Sequence, residues 1–302
     1  MNLLDKMNIA IDHVEENITD ELDLSKLAQL AGCSTYNFQR MFSFIADISI
    51  TEYIRRRRLT LAALELQNKN VKVIDVALKY GYESPISFAR AFQTMHGVTP
   101  RDAKKSNISL KAFPKMTFQI IIKGVIEMNY RIVKTEPFKV FGLEGIISTK
   151  GDTDCFAHAG AIWQEYQGNG KYEQLLIDAG ETKPPYYNAM FVEDMCRIHG
   201  LMNYKKISDT TFGYMLCSFV TPDSKTTGYE VFEVPATTWA VFPIDVNNWD
   251  MGEAISKANK MFYSEWLPTS EFEKADSPEF EMYGGTPEKG YIEFWMPIIK
   301  KG

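Results

Sequence analysis

A run of polar side chains follows Ser34, and its residue types are those that bind the edges of nucleic-acid bases. Arginine can form two hydrogen bonds with guanine, and asparagine or glutamine can do so with adenine; each good pair gives about 1–3 kcal/mol of discrimination. This first set comprises Ser34, Thr35, Tyr36, Asn37, Gln39 and Arg40. A second set further along the chain is less polar and comprises Ser84, Pro85, Ile86, Ser87 and Arg90. We therefore expect the first set to read base identity more than the second.

A carboxylate near the C-terminus lies among aromatic residues. The flanking pattern has the period of a strand, so Tyr291, Glu293 and Trp295 share one face. Burying a carboxylate there is costly without a positive partner, and an apolar cation would supply both that charge and cation–π contacts. We predict a ligand groove lined by Glu293, Trp295, Tyr291, Trp163, Tyr187, Tyr214, Trp239 and Tyr283. The alternative is that Glu293 pairs with a neighbouring lysine or arginine.

An internal repeat supplies the helices that must position the two polar sets. The segment from Leu24 to Gly32 recurs from Val73 to Gly81, and each is a short amphipathic helix ended by a glycine. A serine suited to an N-cap follows each glycine. Each second helix then carries two inward phenylalanines, Phe38 with Phe42 and Phe88 with Phe92. Two such copies predict a duplicated helix-turn-helix, in which the second helix of each copy enters the major groove.

The distribution of charge along the chain favours DNA as a partner, although the net charge of the whole chain does not. The chain carries a net charge of −6, yet residues 1–110 hold 14 basic and 13 acidic side chains. The excess of acidic side chains therefore lies after residue 110. Four consecutive arginines, residues 55–58, fall between the two copies. Neighbouring helix positions differ by about 100°, so they cannot all face one way. We expect two of them, Arg55 among these, to contact phosphates and the others to bind acidic groups or pack on the helix.

These motifs resemble the AraC/XylS family of bacterial transcriptional regulators over about residues 5–106. The resemblance rests mainly on Ile74 to Ala77, Gly81 with Tyr82, Phe88 to Phe92 and the closing Gly97 to Pro100. It implies that residues 1–106 form an all-α domain that binds double-stranded DNA through two helix-turn-helix motifs. The ending from Arg101 to Lys104 lacks the aromatic-plus-arginine pattern common in the family.

The second part of the chain alternates strand and helix patterns, which is typical of an α+β domain with antiparallel sheets. Predicted strands cover 129–133, 139–147, 187–192, 214–220, 229–234, 238–244, 279–283 and 291–297, and predicted helices cover 156–166, 172–179 and 252–266. Residues 107–126 are interpreted as a linker that becomes a strand. A weaker repeat relates the segment after Tyr130 to the segment after Tyr229. Two βαββ units side by side would leave a central groove.

Residues 127–302 resemble the GyrI-like effector-binding domain. The supporting motifs are Tyr130 to Val133 with Pro137 to Gly142, and the ending Tyr291 to Ile298. The order of the two domains resembles that of the Rob-type regulators. The resemblance implies a small-molecule effector, amphipathic or cationic, that modulates DNA binding by the N-terminal domain.

Other classes of protein find little support in the sequence. The chain contains no nucleophile elbow, zinc-protease motif or phosphate-binding loop, so we expect neither an enzyme nor a cofactor. The cysteines are far apart, so we expect no metal site: Cys33, Cys155, Cys196 and Cys217. The absence of a signal peptide and of a membrane-length apolar run predicts a cytoplasmic protein without a membrane partner.

Two alternative functions for the second domain stay open from the sequence alone. Some GyrI-like domains resemble small hydrolases, and Glu293 with Tyr283 or Trp295 would then act as a general base. In the other alternative the domain recruits RNA polymerase or another protein partner and holds no small ligand.

Overall fold

The computed structural model describes residues 3–67, 70–105, 108–118, 128–148, 155–184, 195–208, 210–247, 251–286 and 289–301. The chain divides into two compact units, Met1–Gln119 (unit 1) and Ile120–Gly302 (unit 2). The predicted linker, 107–126, brackets this division. In the described parts of the chain no helix has the length and apolar character needed to cross a membrane.

Unit 1 contains six described helices, and the predicted repeat accounts for four of them. The helices are α1 (Leu3–Glu16), α2 (Leu24–Ala31), α3 (Thr35–Ala46), α4 (Ile50–Leu66), α5 (Val73–Lys79) and α6 (Pro85–His96). Ser34 and Ser84 cap α3 and α6, because each hydroxyl accepts a hydrogen bond from a backbone N–H in the first turn. Phe38 and Phe88 are fully buried at equivalent positions of the two copies. The duplicated helix-turn-helix is thus present as predicted.

The segment that follows the second copy is extended. A single 3-10 turn, Asp102–Lys104, ends the helical part among the described residues. Residues 108–118, which we call the strap, then run along α4 and α1 without strand pairing. Side chains of α4 supply the backbone hydrogen bonds that a neighbouring strand would otherwise provide. Arg57 Nη1 donates to the Phe113 carbonyl at 2.5 Å, and the Phe113 N–H donates to Thr60 Oγ1 at 3.1 Å.

The end of the strap is fixed by a second group of contacts. The Met116 N–H donates to the Tyr53 hydroxyl at 3.2 Å. The Asn8 amide binds both backbone groups of Phe118, accepting from its N–H at 2.8 Å and donating to its carbonyl at 2.9 Å. The Phe118 ring is buried and lies edge-on to Phe42 of α3, with 5.9 Å between ring centroids. The predicted conversion of this segment into a strand does not occur within the described residues.

Unit 2 is built on an antiparallel sheet flanked by helices on one face. The strands are β1 (Arg131–Thr135), β2 (Phe138–Ser148), β3 (His199–Ser208), β4 (Thr211–Phe219), β5 (Glu230–Val234), β6 (Thr237–Asn247), β7 (Phe272–Lys274), β8 (Glu279–Gly285) and β9 (Lys289–Lys300). The helices are α7 (Cys155–Gly168), α8 (Lys171–Asp178) and α9 (Met251–Met261), the last continuing through a wider turn, Phe262–Trp266, into Leu267–Thr269. This is the predicted α+β architecture. The predicted strand at 187–192 lies outside the described residues.

The strand order shows the predicted pair of βαββ units. The order is β1-β6-β9-β8-β3-β4-β2-β5, with β7 paired to β9. The first half of unit 2 contains β1 to β4 and the second half contains β5 to β9. The halves meet where β3 pairs with β8, and the first strand of each half pairs with the second strand of the other half. Val133 of β1 pairs with Trp239 of β6, and Phe232 of β5 pairs with Val140 of β2.

The two faces of the curled sheet have different coverings. On one face, buried side chains from both halves pack directly on each other, among them Val140, Leu201, Trp239, Phe280 and Trp295. The opposite face carries α7 and α9. Phe242 packs there on Trp266, with 5.4 Å between ring centroids. A Cβ at Gly145 would lie 2.6 Å from Ile162 of α7, so this helix approaches the sheet closely.

Candidate functional site

Helix α6 presents an exposed surface that matches the second predicted set. Pro85, Ile86, Ser87 and Arg90 are exposed, and Ile86 retains 68% of its accessible surface. Ser84 is half-buried, and its hydroxyl caps the helix by accepting from the Ser87 N–H at 3.1 Å. This face therefore offers one guanidinium, hydroxyls and a methyl-rich side chain to a groove, while Phe88 and Phe92 hold the other face in the core.

Helix α3 holds the first predicted set in a different environment. Thr35, Tyr36, Asn37, Gln39 and Arg40 are buried in this structure, and Ser34 is half-buried. The Arg40 guanidinium lies over the Phe44 ring, 5.2 Å from its centroid. Base contact by these side chains requires that they become exposed, and their assignment as base readers remains a prediction.

The four consecutive arginines on α4 have internal partners. Arg57 forms a buried ion pair with Glu15, with 2.6 Å between Nη2 and Oε2. Arg58 donates to the carbonyls of Ile18 and Asp20 at 2.7 and 2.6 Å. These two arginines hold α4 against α1 and the turn that follows it.

The other two arginines share one carboxylate. Arg55 and Arg56 both bind Glu52, and Arg55 lies 2.6 Å from it. Burial alone would raise the pKa of Glu52, but the hydrogen bonds from both guanidinium groups hold it below its usual value. Arg55 is exposed, and its predicted phosphate contact remains a prediction.

A cavity of about 440 Å³ lies over the helix-bearing face of the sheet in unit 2. Helix α7 and the start of α8 form one wall, α9 forms another, and β4 and β8 form the floor. We call it the aromatic cavity. Its principal lining side chains are Trp163, Tyr172, Tyr214, Ile255, Glu281 and Tyr283.

Hydrogen bonds connect the aromatic side chains of this cavity to a buried carboxylate. The Tyr283 hydroxyl donates to Glu281 Oε2 at 2.6 Å, and Trp163 Nε1 donates to the Tyr214 hydroxyl at 2.6 Å. The Trp163 and Tyr283 rings meet edge to face, 5.3 Å apart. Burial raises the pKa of both tyrosines well above the ordinary value, and the charge of Glu281 adds to this. Both phenols are therefore neutral donors at physiological pH.

Strand pairing explains how Glu281 reaches the cavity floor. Glu281 is 1% exposed and pairs with Gly200 of β3. A Cβ at Gly200 would lie 2.7 Å from the Tyr214 hydroxyl and 3.1 Å from Glu281 Oε2, so a larger residue would displace these groups. Phe280 and Met282 alternate with Glu281 and point to the opposite core.

The structure divides the predicted ligand-binding residues into two groups. Trp163, Tyr214 and Tyr283 line the aromatic cavity. Tyr187 lies outside the described residues. The remaining four, Glu293, Tyr291, Trp295 and Trp239, belong to the other face of the sheet and do not line this cavity.

Glu293 has the basic partner that the alternative interpretation required. Arg131 Nη2 lies 2.7 Å from Glu293 Oε2, and the same carboxylate accepts from the Tyr291 hydroxyl at 2.6 Å and from Trp295 Nε1 at 3.0 Å. A groove on the face of Glu293 requires that the helices cover only the opposite face, which carries Ile292, and leave the face of Glu293 open. The cavity instead lies beneath the helices. On the face of Glu293, buried side chains from both halves of the sheet pack on each other and leave no groove among the described residues.

Sequence reasoning missed Glu281, although a signal was present. Glu281 stands between Phe280 and Met282 and is followed at strand spacing by Tyr283, the same carboxylate–aromatic alternation as around Glu293. Nothing in the alternation distinguishes which of the two carboxylates faces a cavity.

Comparison with known protein families gives two matches. Residues 131–298, more than half of the chain, match the family described as integron-associated effector binding protein. Residues 27–106 match a helix-turn-helix domain family.

Individual relatives match over shorter lengths. The HTH-type transcriptional activator AarP of Providencia stuartii is 45% identical over 87 residues, which cover 29% of this chain and 64% of that protein. The regulatory protein SoxS of Salmonella typhimurium is 37% identical over 92 residues, which cover 30% of this chain and 86% of SoxS. A solved structure of a putative transcription regulation protein from Staphylococcus aureus MU50 covers 58% of this chain at 17% identity, with a TM-score of 0.42.

Proposed function

Because the chain belongs to the AraC/XylS family of DNA-binding transcriptional regulators, and its unit 2 to the integron-associated effector-binding family, we propose that a small ligand in the aromatic cavity controls how unit 1 binds operator DNA. The duplicated helix-turn-helix supports the DNA half of this proposal. The aromatic cavity supports the ligand half.

The DNA contacts that we propose follow from exposure and residue type. The exposed face of α6 enters the major groove of double-stranded DNA, where Arg90 reaches a guanine edge and Ile86 contacts a thymine methyl group. Arg55 contacts a phosphate and contributes affinity without sequence preference. Helix α3 adds the contacts of Gln39 and Arg40 in a state in which these side chains are exposed.

The ligand that we propose is a compact apolar cation, and Glu281 is the observation that carries this choice. A cation in the aromatic cavity would meet a fully buried carboxylate and the aromatic rings of Trp163 and Tyr172, so that charge attraction and contact with aromatic groups favour it. The cavity volume lies within the range of about 300–1,000 Å³ typical of small-molecule sites.

In this proposal the aromatic cavity binds its ligand without turnover. Glu293, the base that a hydrolase would use, is bound by Arg131 and Tyr291 and lies on the other face of the sheet from Tyr283.

The protein acts in the cytoplasm, and RNA polymerase is the partner that the DNA-bound regulator recruits.

Thermal unfolding in the presence of size-matched compounds tests the ligand proposal. A ligand that binds only the folded state raises the melting temperature by mass action. We expect tetraphenylphosphonium to raise it, a neutral tetraphenyl analogue to raise it less, and tetraphenylborate to have no effect. Mass spectrometry should recover the compound unchanged. An equal response to all three charges, or conversion of the compound, would contradict the proposal.

A further inference from the structure

His199 lies at a break in the pairing of β3 with β8, next to the aromatic cavity. Regular pairing ends where Gly200 faces Glu281, and a single bridge joins Met195 to Gly284 further along. Between these points, residues 196–199 lie opposite Met282 and Tyr283, so the incoming segment bulges away from β8.

The imidazole of His199 fills the place of a backbone acceptor in this bulge. The Tyr283 N–H donates to His199 Nδ1 at 3.2 Å, and the Tyr283 carbonyl accepts from the Cys196 N–H at 2.9 Å. Because Nδ1 accepts, the ring is the neutral tautomer with its proton on Nε2. The ring is fully buried, and this burial lowers the pKa of His199 to about 3. The acceptor is therefore present throughout the physiological pH range.

The bulge shapes the wall of the aromatic cavity. Cys196 and Ile198 of this segment line the cavity. His199 pairs with Cys217, whose side chain belongs to the opposite core, so the imidazole does not face the cavity. The hydrogen bond from the Tyr283 N–H is the side-chain contact that connects His199 to the cavity.

We propose that His199 is a positioning residue of the aromatic cavity: its Nδ1 fixes the backbone of Tyr283 and so holds the Tyr283 hydroxyl beside Glu281. The inference rests on the proposed ligand function for its affinity readout alone. Loss of the acceptor leaves a buried N–H without a partner and frees the bulge, and the phenol of Tyr283 then no longer has a fixed place beside the carboxylate.

The experiment compares two variants of nearly equal shape, His199→Asn and His199→Leu. Asparagine places a carbonyl oxygen close to the position of Nδ1, whereas leucine places a methyl group there. We expect the Tyr283 amide to exchange with solvent at least about tenfold faster in His199→Leu and to stay near the wild-type rate in His199→Asn. Tetraphenylphosphonium affinity, followed by tryptophan fluorescence, should fall about tenfold in His199→Leu and be restored in His199→Asn.

A control in unit 1 separates this role from a general loss of stability. His96 is also a buried histidine, and its Nε2 lies 3.2 Å from the Leu59 carbonyl. His96→Leu should lower the stability of unit 1 and leave the Tyr283 amide unchanged. Wild-type exchange and wild-type affinity in His199→Leu would overturn the proposal.

A measurement on the wild-type chain covers the case in which His199→Leu does not fold. Nitrogen-15 spectra should show His199 Nδ1 unprotonated and Nε2 protonated, and the reverse tautomer would overturn the proposal. If wild-type protein binds no tetraphenylphosphonium, the ligand proposal fails, while the Tyr283 exchange rates still decide the role of His199.

Discussion

Glu281 and Glu293 are both buried on neighbouring strands, yet their surroundings give them different chemistry. Glu293 accepts hydrogen bonds from Arg131, Tyr291 and Trp295, so both of its oxygens already have partners within the structure. Glu281 accepts from Tyr283 and forms part of a cavity floor. The second environment suits a carboxylate that meets an incoming cation.

Substitution of each glutamate by glutamine distinguishes the two roles. Glu281→Gln should weaken tetraphenylphosphonium binding at least about tenfold, because the interaction of a buried charge with a cation is lost. Glu293→Gln should lower the stability of unit 2 and leave the affinity within about twofold, since Glu293 does not line the cavity. Fluorescence titration measures both affinities. Equal affinities in Glu281→Gln and wild type would refute the cavity assignment.

Arg90 should contribute base specificity at one operator position. Replacing it by alanine should relax the preference for guanine there by about 1–3 kcal/mol, because the bidentate contact is lost. Selection of binding sites from a random duplex library provides the measurement. Arg197→Ala, at an exposed arginine of unit 2, is the matched control and should leave the selected sequence unchanged. An unaltered preference in Arg90→Ala would show that α6 reads DNA in another way.

Some of the aromatic residues that line the cavity could be predicted from the sequence. The face of the sheet that carries the cavity could not. Trp163, Tyr214 and Tyr283 were predicted from their aromatic character and line the cavity. Period-two alternation separates the two faces of a strand, but the choice between them depends on where the helices cross, which is a property of the tertiary structure. For this reason the alternation does not distinguish Glu281 from Glu293.

At the scale of secondary structure elements, the repeated helices were predictable because local signals coincide. Serine caps, glycine ends and paired phenylalanines fall at the same places in both copies, and α2, α3, α5 and α6 follow them. Strand β3 was missed. Its first half is buried on both faces and its second half is exposed, so its sequence lacks the alternation that marks a half-buried strand.

The strap was predicted only as a linker, because its stability comes from distant side chains. Arg57 both binds the strap and forms the ion pair with Glu15. Burial alone would raise the pKa of Glu15, but hydrogen bonds from Arg57 and Tyr53 hold it below the ordinary value of 4.5. The pair thus contributes stability above pH 4.5 that is lost as the pH falls through the lowered pKa.

This ion pair makes a prediction about the pH dependence of unit 1. Glu15→Gln should lower the urea midpoint of the helical circular dichroism signal at pH 7 and flatten its decline on acidification. All five tryptophans lie after residue 119, so their fluorescence follows unit 2 in the same sample and provides the internal control. A pH profile in Glu15→Gln parallel to that of wild type would show that Glu15 does not supply this dependence.

For the whole molecule, control of DNA binding by a ligand requires that the two binding equilibria are thermodynamically coupled. Unit 1 contains the helix-turn-helix copies and unit 2 contains the aromatic cavity, and the strap is the last described segment of unit 1 before the chain continues into unit 2. If coupling passes along the chain, it enters unit 1 at Phe118, which contacts Asn8 and Phe42 of α3. Allosteric coupling of this kind is reciprocal and typically amounts to about 5–150-fold in affinity.

The most direct test is the affinity of the full chain for a selected operator duplex, measured by fluorescence anisotropy with and without saturating tetraphenylphosphonium. We expect the ligand to change the operator affinity at least about fivefold in wild type and not at all in Glu281→Gln, since that variant lacks the charge that holds the cation. An operator affinity that is the same with and without ligand in wild-type protein, at concentrations that fill the cavity, would contradict the claim that the cavity controls DNA binding.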